Sequence, residues 1–423
     1  MQRRDFMKMA SACGVVIPTW AWLPANAQTG PYTGKILINI HADGGLDQSS
    51  WADPRDRDAT LNNYAANGVA AGVAGNIRFA PMGNNAAFFT RYFRQMLVIN
   101  GVNSETNGHD EGTRAHATGR LDMGYPNISE LFAFTYGRSM PMPWVNAGGF
   151  RTSAGLIAPT PVPDANGWRT LTQPNAASAT NDLMKQADVA RIQVARGERM
   201  KALQARADNL PRTKMVADQF VGASDSRAQL QRAVVPATFD AQGQAQIALL
   251  AAQAGIASTI QLSSGGFDGH GNITQSYGAA GAQGSLSRLT DMVDYIWTKS
   301  ADLGLTNRIF LRIYSEFGRT ALNNGNGKDH YAVGTQILME AAPAWGNRVF
   351  GATGPKHEQL MVNTATGAVV PAGGKVIRPR HVHAAMRKYL GIETADPRFN
   401  LKTLPDENFD FFNPAASTGY PNI

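Results

Sequence analysis

The chain has 423 residues, 43% of them hydrophobic and 17% charged, which suits one large or two moderate globular domains. Its net charge of +7 is modest for that length, and no Lys- or Arg-rich tract marks a nucleic-acid partner. The single cysteine, Cys13, excludes an internal disulfide and leaves oxygen and imidazole to ligate any metal.

Residues 1–27 read as a twin-arginine export signal. Arg3-Arg4-Asp5-Phe6-Met7-Lys8 opens it, a mildly apolar stretch follows, and Ala25-Asn26-Ala27 is a small-residue cleavage site. Ala10-Ser11-Ala12-Cys13 resembles a lipoprotein box, but it comes too soon after the arginines and the apolar run continues past it. Cleavage removes Arg3, Arg4 and Lys8 with Asp5, lowers the net charge by two, and takes Cys13 away. The twin-arginine export machinery carries folded cargo, which is compatible with a metal inserted before release into the periplasm or medium. No later stretch is long and apolar enough to cross a bilayer.

Residues 28–423 read as a single domain. Residues 35–40 form a short apolar strand, and Gly44-Gly45 turns the chain to expose Asp43 and Asp47. Residues 62–85 are a Gly-, Asn- and Ala-rich surface excursion. A helix over 88–94 feeds a strand over 96–101, and a polar loop leads to a helix start at His109. Five prolines make 140–178 loop-heavy, and alternating charges make 180–233 helical. Together, 140–240 reads as an insertion over the sheet. A helix over 242–254 stops at Gly255, a strand follows over 257–262, a helix over 286–303 ends at Gly304, and a strand runs over 308–314. Residues 345–379 read as a β-rich excursion, and a last helix over 380–390 ends at Gly391. The alternation predicts an α/β fold: a mainly parallel sheet sandwiched by helices.

Three apolar runs end in polar residues. Residues 36–40 run into Asp43 and Asp47, 259–262 into Asp268 and His270, and 309–314 into Glu316 and Arg319, with Asp329-His330 soon after. In open α/β sheets ligands bind outside the carboxyl ends of the strands. Carboxylate with imidazole suits zinc, manganese or iron better than calcium. Zinc or manganese fits best here, with calcium and magnesium left open. Glu316 is a candidate ligand or base, and the Arg319 fork suits an anionic phosphate or sulfate. Each piece has a plainer alternative: a capped turn at Asp268, a surface turn at Asp329, a rim ion pair at Glu316 and Arg319. His109, ahead of its helix, is a better functional candidate than His116, which reads as packed. His381 and His383 point apart on a helix and read as solvated. No phosphate-binding Gly-rich loop, Gly-x-Ser-x-Gly elbow or His-Glu-x-x-His motif is present.

The leader, Gly44-Gly45-Leu46-Asp47, Gly266-Phe267-Asp268-Gly269-His270, Ser315-Glu316-Phe317-Gly318-Arg319-Thr320 and Asp329-His330 together resemble a family of exported bacterial proteins of unknown function. By fold that family resembles the alkaline phosphatase and sulfatase superfamily. The resemblance implies an alkaline phosphatase-like domain and a divalent metal held by Asp43 or Asp47 with Asp268, His270, Glu316, Asp329 and His330. It implies hydrolysis of an anionic phosphate or sulfate ester, small or polymeric, with Arg319 on the anion. The superfamily's Ser or Thr nucleophile falls near His109 here, with only Ser104, Thr106 and Thr113 close by. Either His109 or a water serves instead, or the chain is a degenerate member that binds a ligand or partner without chemistry.

Overall fold

A computed structural model describes residues 31–55, 69–178, 180–211, 213, 214, 217, 227–240, 242–321, 327–392 and 408–414. The leader over 1–27, residues 62–68 of the surface excursion and much of the loop before Asp329 lie outside the described residues.

The strands in chain order are β1 Ile36–Asp43, β2 Gly72–Ala74, β3 Ile77–Phe79, β4 Met96–Asn103, β5 Trp144–Asn146, β6 Thr160–Pro161, β7 Thr259–Gly265, β8 Ile309–Tyr314, β9 Gly318–Arg319, β10 His330–Tyr331, β11 Val333–Met339 and β12 Arg348–Phe350. The helices are α1 Asn85–Tyr92, α2 His109–Thr118, α3 Ile128–Gly137, α4 Ala165–Thr172, α5 Gln186–Gln204, α6 Gly243–Gln253, α7 Ile273–Tyr277, α8 Ser285–Asp302 and α9 Pro379–Tyr389, besides a short turn at Arg227–Leu230. Among the described residues, no helix is long and apolar enough to cross a membrane.

Eight strands form one sheet in the order β12-β4-β11-β8-β1-β7-β5-β6. All neighbours are parallel except β11, which runs antiparallel to both β4 and β8. The fold is therefore α/β with a mainly parallel sheet and flanking helices. The three runs that end in candidate ligands are β8, β1 and β7, side by side at its centre. Two departures from the sequence reading are local. The proline-rich stretch 140–178 supplies the short edge strands β5 and β6. The antiparallel β11, unforeseen, carries the chain back from His330 into the sheet.

Alternation along β1 explains the two layers. Ile36, Ile38 and Ile40 enter a core with Trp51, Phe88, Phe89 and the apolar faces of α6 and α8. Leu37 enters a second core with Leu97, Phe310, Phe132 of α3 and Met386 of α9. Each fully buried Ile or Leu contributes roughly 1.5–3 kcal/mol relative to exposure. Along the Leu37 face the strand turns polar toward its carboxyl end. Asn39 donates to Ser129 Oγ at 2.8 Å, and His41 lies beyond it. A strand that is apolar at its root and polar at its tip holds its polar end at the sheet edge.

Candidate metal centre

The loop after β1 turns on two glycines. Gly44 and Gly45 have φ of +119° and +82°, the left-handed region that only glycine enters freely. A Cβ on Gly44 would collide with the Asp268 backbone nitrogen, and one on Gly45 with the Phe317 ring. Missing side chains thus let the loops after β1, β7 and β8 close on one another.

Arg319 joins these loops from below. It is fully buried. Its Nε donates to the Gly45 carbonyl at 2.9 Å and its Nη1 to the Lys328 carbonyl at 3.1 Å. Its Nη2 reaches the Gly44 carbonyl and Asp268 Oδ1, the latter at 2.7 Å. A guanidinium so occupied cannot serve as the anion clamp expected from the sequence; it fixes the loops instead.

Asp47 is also removed from the ligand set. It is fully buried at the N-cap of the turn Gln48–Ser50 and accepts from the Ser49 amide, the Ser49 and Ser50 hydroxyls, and Lys328 Nζ at 3.0 Å. Burial opposes its charge, but Lys328 and the two hydroxyls outweigh that and hold its carboxyl below the ordinary range. Its lone pairs are taken, whereas Asp43 is exposed.

Glu316, expected as a ligand or base, is a hub of hydrogen bonds. Its Oε1 lies 2.7 Å from His109 Nδ1 and accepts from the Gly44 amide at 2.8 Å. Its Oε2 lies 3.0 Å from His41 Nε2 and accepts from Ser315 Oγ at 2.9 Å. Burial favours the neutral acid, yet the bond and charge of His41, then His109, hold the carboxyl well below its usual range. His41 was missed by sequence reasoning. Its sequence signal was a histidine near the carboxyl end of a mostly apolar strand.

His109 opens α2 behind Gly108. Glu316 accepts from its Nδ1, which leaves the Nε2 lone pair available. His330 is arranged the same way: its Nδ1 lies 2.8 Å from the Asn107 carbonyl, which can only accept. Burial, then nearby cations beginning with Arg319, keep its pKa below 6.5, and its Nε2 faces His270 Nε2 at 2.9 Å and Asp268 Oδ1 at 3.8 Å. Histidine ligands of metals commonly have their second nitrogen anchored in this way.

Asp268 faces both rings. His109, Asp268 and His330 each offer one ligand atom, all within 4.8 Å of one another. Burial is the largest single influence on Asp268 and opposes its charge, but Arg319, His270 and His109 together hold its pKa below the ordinary value. His270 Nε2 lies 2.9 Å from His330 Nε2 and 3.3 Å from Asp268 Oδ1, and its Nδ1 lies 3.3 Å from Asp329. Phe317 packs under His109 and His330, with ring centroids 4.9 and 4.4 Å away. A second group, His41, Asp43 and Glu316, adjoins the first through Glu316, with its atoms also within 4.8 Å. Two imidazoles with anchored tautomers and an ionised carboxylate fit a divalent cation. The second group fits less well, because Glu316 already has four donors.

The remaining candidates are placed as follows. Ser104 is buried and spends its hydroxyl on the Thr106 and Ala332 carbonyls, and Thr106 Oγ accepts from the Gly108 amide. The Ser104 hydroxyl is committed; Thr106 Oγ only accepts and is half-buried. His116 is packed, with Nδ1 2.7 Å from Gln336 Nε2. His381 and His383, expected in solvent, are both buried. The helix α9 turns its first turn into the second core, so a polar sequence there does not mean exposure.

A family model described as a protein of unknown function (DUF1501) matches residues 34–395. The chain belongs to the DUF1501 family. No curated protein matches it. Among solved structures it is similar to the PsFucS1 sulfatase from Pseudoalteromonas sp., with 9% identity, 86% of this chain and 69% of the other covered, and a TM-score of 0.37. It is also similar to the alkaline phosphatase of the Antarctic bacterium TAB5, with 13% identity, 73% and 91% covered, and a TM-score of 0.30. Likeness this distant assigns neither activity nor ligand to this DUF1501 chain.

Proposed function

We propose that this DUF1501 protein is a metal-dependent hydrolase of a phosphate or sulfate ester, exported by the twin-arginine route. The metal is zinc or manganese, held by His109, Asp268 and His330 with His270 and Asp329 beside them. The observation that carries this reading is the pair of anchored imidazoles: Glu316 fixes His109 and the Asn107 carbonyl fixes His330, in a group where His109, Asp268 and His330 each bring one ligand atom within 4.8 Å of the others. When bound, such an ion supplies Lewis acidity toward an ester oxygen. The chain's own residues do the rest. Glu316 holds a proton at His109 Nδ1, which suits His109 Nε2 as ligand or base. Arg319 holds Asp268 from behind, and Phe317 keeps water from one side of both rings. The resemblance to phosphate- and sulfate-ester hydrolases read from the sequence motifs supports the substrate class.

The test is Asp268→Ala. Asp268 is exposed but pairs with the buried Arg319, so the variant should keep its fold by circular dichroism at reduced stability. It should lose zinc and manganese binding by calorimetry and turnover of phosphate and sulfate esters. Metal affinity equal to wild type would overturn the assignment. A second reading is favoured by the buried Arg319 and by the committed hydroxyl of Ser104: a chain that binds metal and ligand without turnover. Metal binding with no hydrolysis across both ester classes would select it.

A further inference from the structure

Arg312, in the middle of β8, is fully buried. Its Nε donates to Gln336 Oε1 at 2.9 Å, and its Nη2 to the His116 carbonyl at 2.9 Å. Its guanidinium lies 4.3 Å from the centre of the Tyr314 ring. Burial pushes its pKa down to about 10, with only Tyr314 opposing, so it stays charged at neutral pH. No carboxylate among the described residues pairs with it. A buried charge without a counter-ion is strongly unfavourable. Its Nη1 is also buried and has no hydrogen-bond partner.

The same bonds set the protons of the next residue. Gln336 Oε1 receives Arg312, so the Gln336 amide nitrogen is the one facing His116 Nδ1 and donates to it. His116 is held neutral by burial first and by Arg312 second. Its hydrogen is therefore on Nε2, which is buried and has no partner. Two fixed donors, on residues bonded to each other, lack an acceptor. Across from them, α9 packs on the end of α2, where a Cβ on Gly119 would lie 3.2 Å from His383 Cβ. His383 Nε2 is a third buried nitrogen without a partner. Burial, then Arg387, Arg312 and Arg120, keep its ring neutral. The interior here is cationic and rich in donors.

We propose that a halide-sized anion, chloride in ordinary solution, binds between β8, α2 and α9 and accepts from Arg312 Nη1 and His116 Nε2. A water would satisfy the donors but not the guanidinium charge. Full burial favours a small, weakly hydrated monoanion over a phosphate or sulfate. The site is independent of the metal reading.

Crystals of the full chain soaked in bromide, with diffraction recorded at the bromine edge, test this directly. One anomalous peak is expected within hydrogen-bond distance of Arg312 Nη1. With EDTA present, the melting temperature should rise with each tenfold increase in bromide or chloride and stay flat in gluconate at equal ionic strength. Arg312→Met should lose both effects; where that variant fails to fold, the wild-type soak and melts decide. No peak at this position overturns the site. So does a peak without a halide-dependent melt, which would mark an adventitious ion only.

Discussion

Two groups of ionisable side chains share the carboxyl edge of β1, and they differ in what they leave unsatisfied. Asp47 and Lys328 form a buried pair whose carboxylate already has backbone, hydroxyl and ammonium donors. His109, Asp268 and His330 are at least partly exposed, with one nitrogen of each ring anchored and the three residues' ligand atoms within 4.8 Å of one another. Both groups are acid next to base. Saturation marks the first as structure, while the second keeps lone pairs that could take a cation. Arg319 connects them, holding the Asp268 carboxylate with one nitrogen and the Lys328 carbonyl with another.

The comparison breaks most sharply by leaving one charge of the buried pair alone. Lys328→Met strands the ionised Asp47 and should cost about 3–5 kcal/mol in urea unfolding. Zinc affinity of the folded fraction should stay near wild type. A large loss of metal affinity with unchanged stability would reverse the two roles. Next in size is Glu316→Gln, which removes the charge that holds a proton at His109 Nδ1 and puts an amide donor in place of one carboxylate oxygen. Metal affinity by calorimetry should fall about 10–100-fold.

The smallest effect is on the structural side. Burial lowers the pKa of His357 to about 4, with Asp53 only partly offsetting it. The unfolded chain, with its ordinary histidine, binds this proton first as pH falls. The contribution is thus complete above about 6.5 and is lost progressively from there down to about 4. Roughly 1 kcal/mol should be gone by pH 5.5. His357→Asn, which tolerates the local φ of +61°, should remove that share of the acid sensitivity in urea unfolding compared at pH 5.5 and 7.5.

Much of the sheet was legible because short apolar runs bounded by glycine read the same in isolation and in the fold. The runs ending at Asp43, at Asp268 and at Glu316 are three neighbouring parallel strands, and the helices closed by Gly255, Gly304 and Gly391 end at those glycines, each in the left-handed region. β11 was not legible, since an antiparallel return differs from a parallel strand only in its partner. His381 and His383 were misplaced in solvent because a helix's polar residues do not reveal which neighbours cover them.

The sequence by itself determined which chemistry reaches the edge of the sheet: carboxylates and imidazoles at the ends of apolar strands, with no thiol beyond Cys13. Only the tertiary structure decided which of them are spent. His41 and Glu316 stand 275 positions apart yet share a hydrogen bond, and Arg319 turns inward to carbonyls of three loops. A donor's availability depends on the acceptors brought to it by distant segments, and that is set by packing.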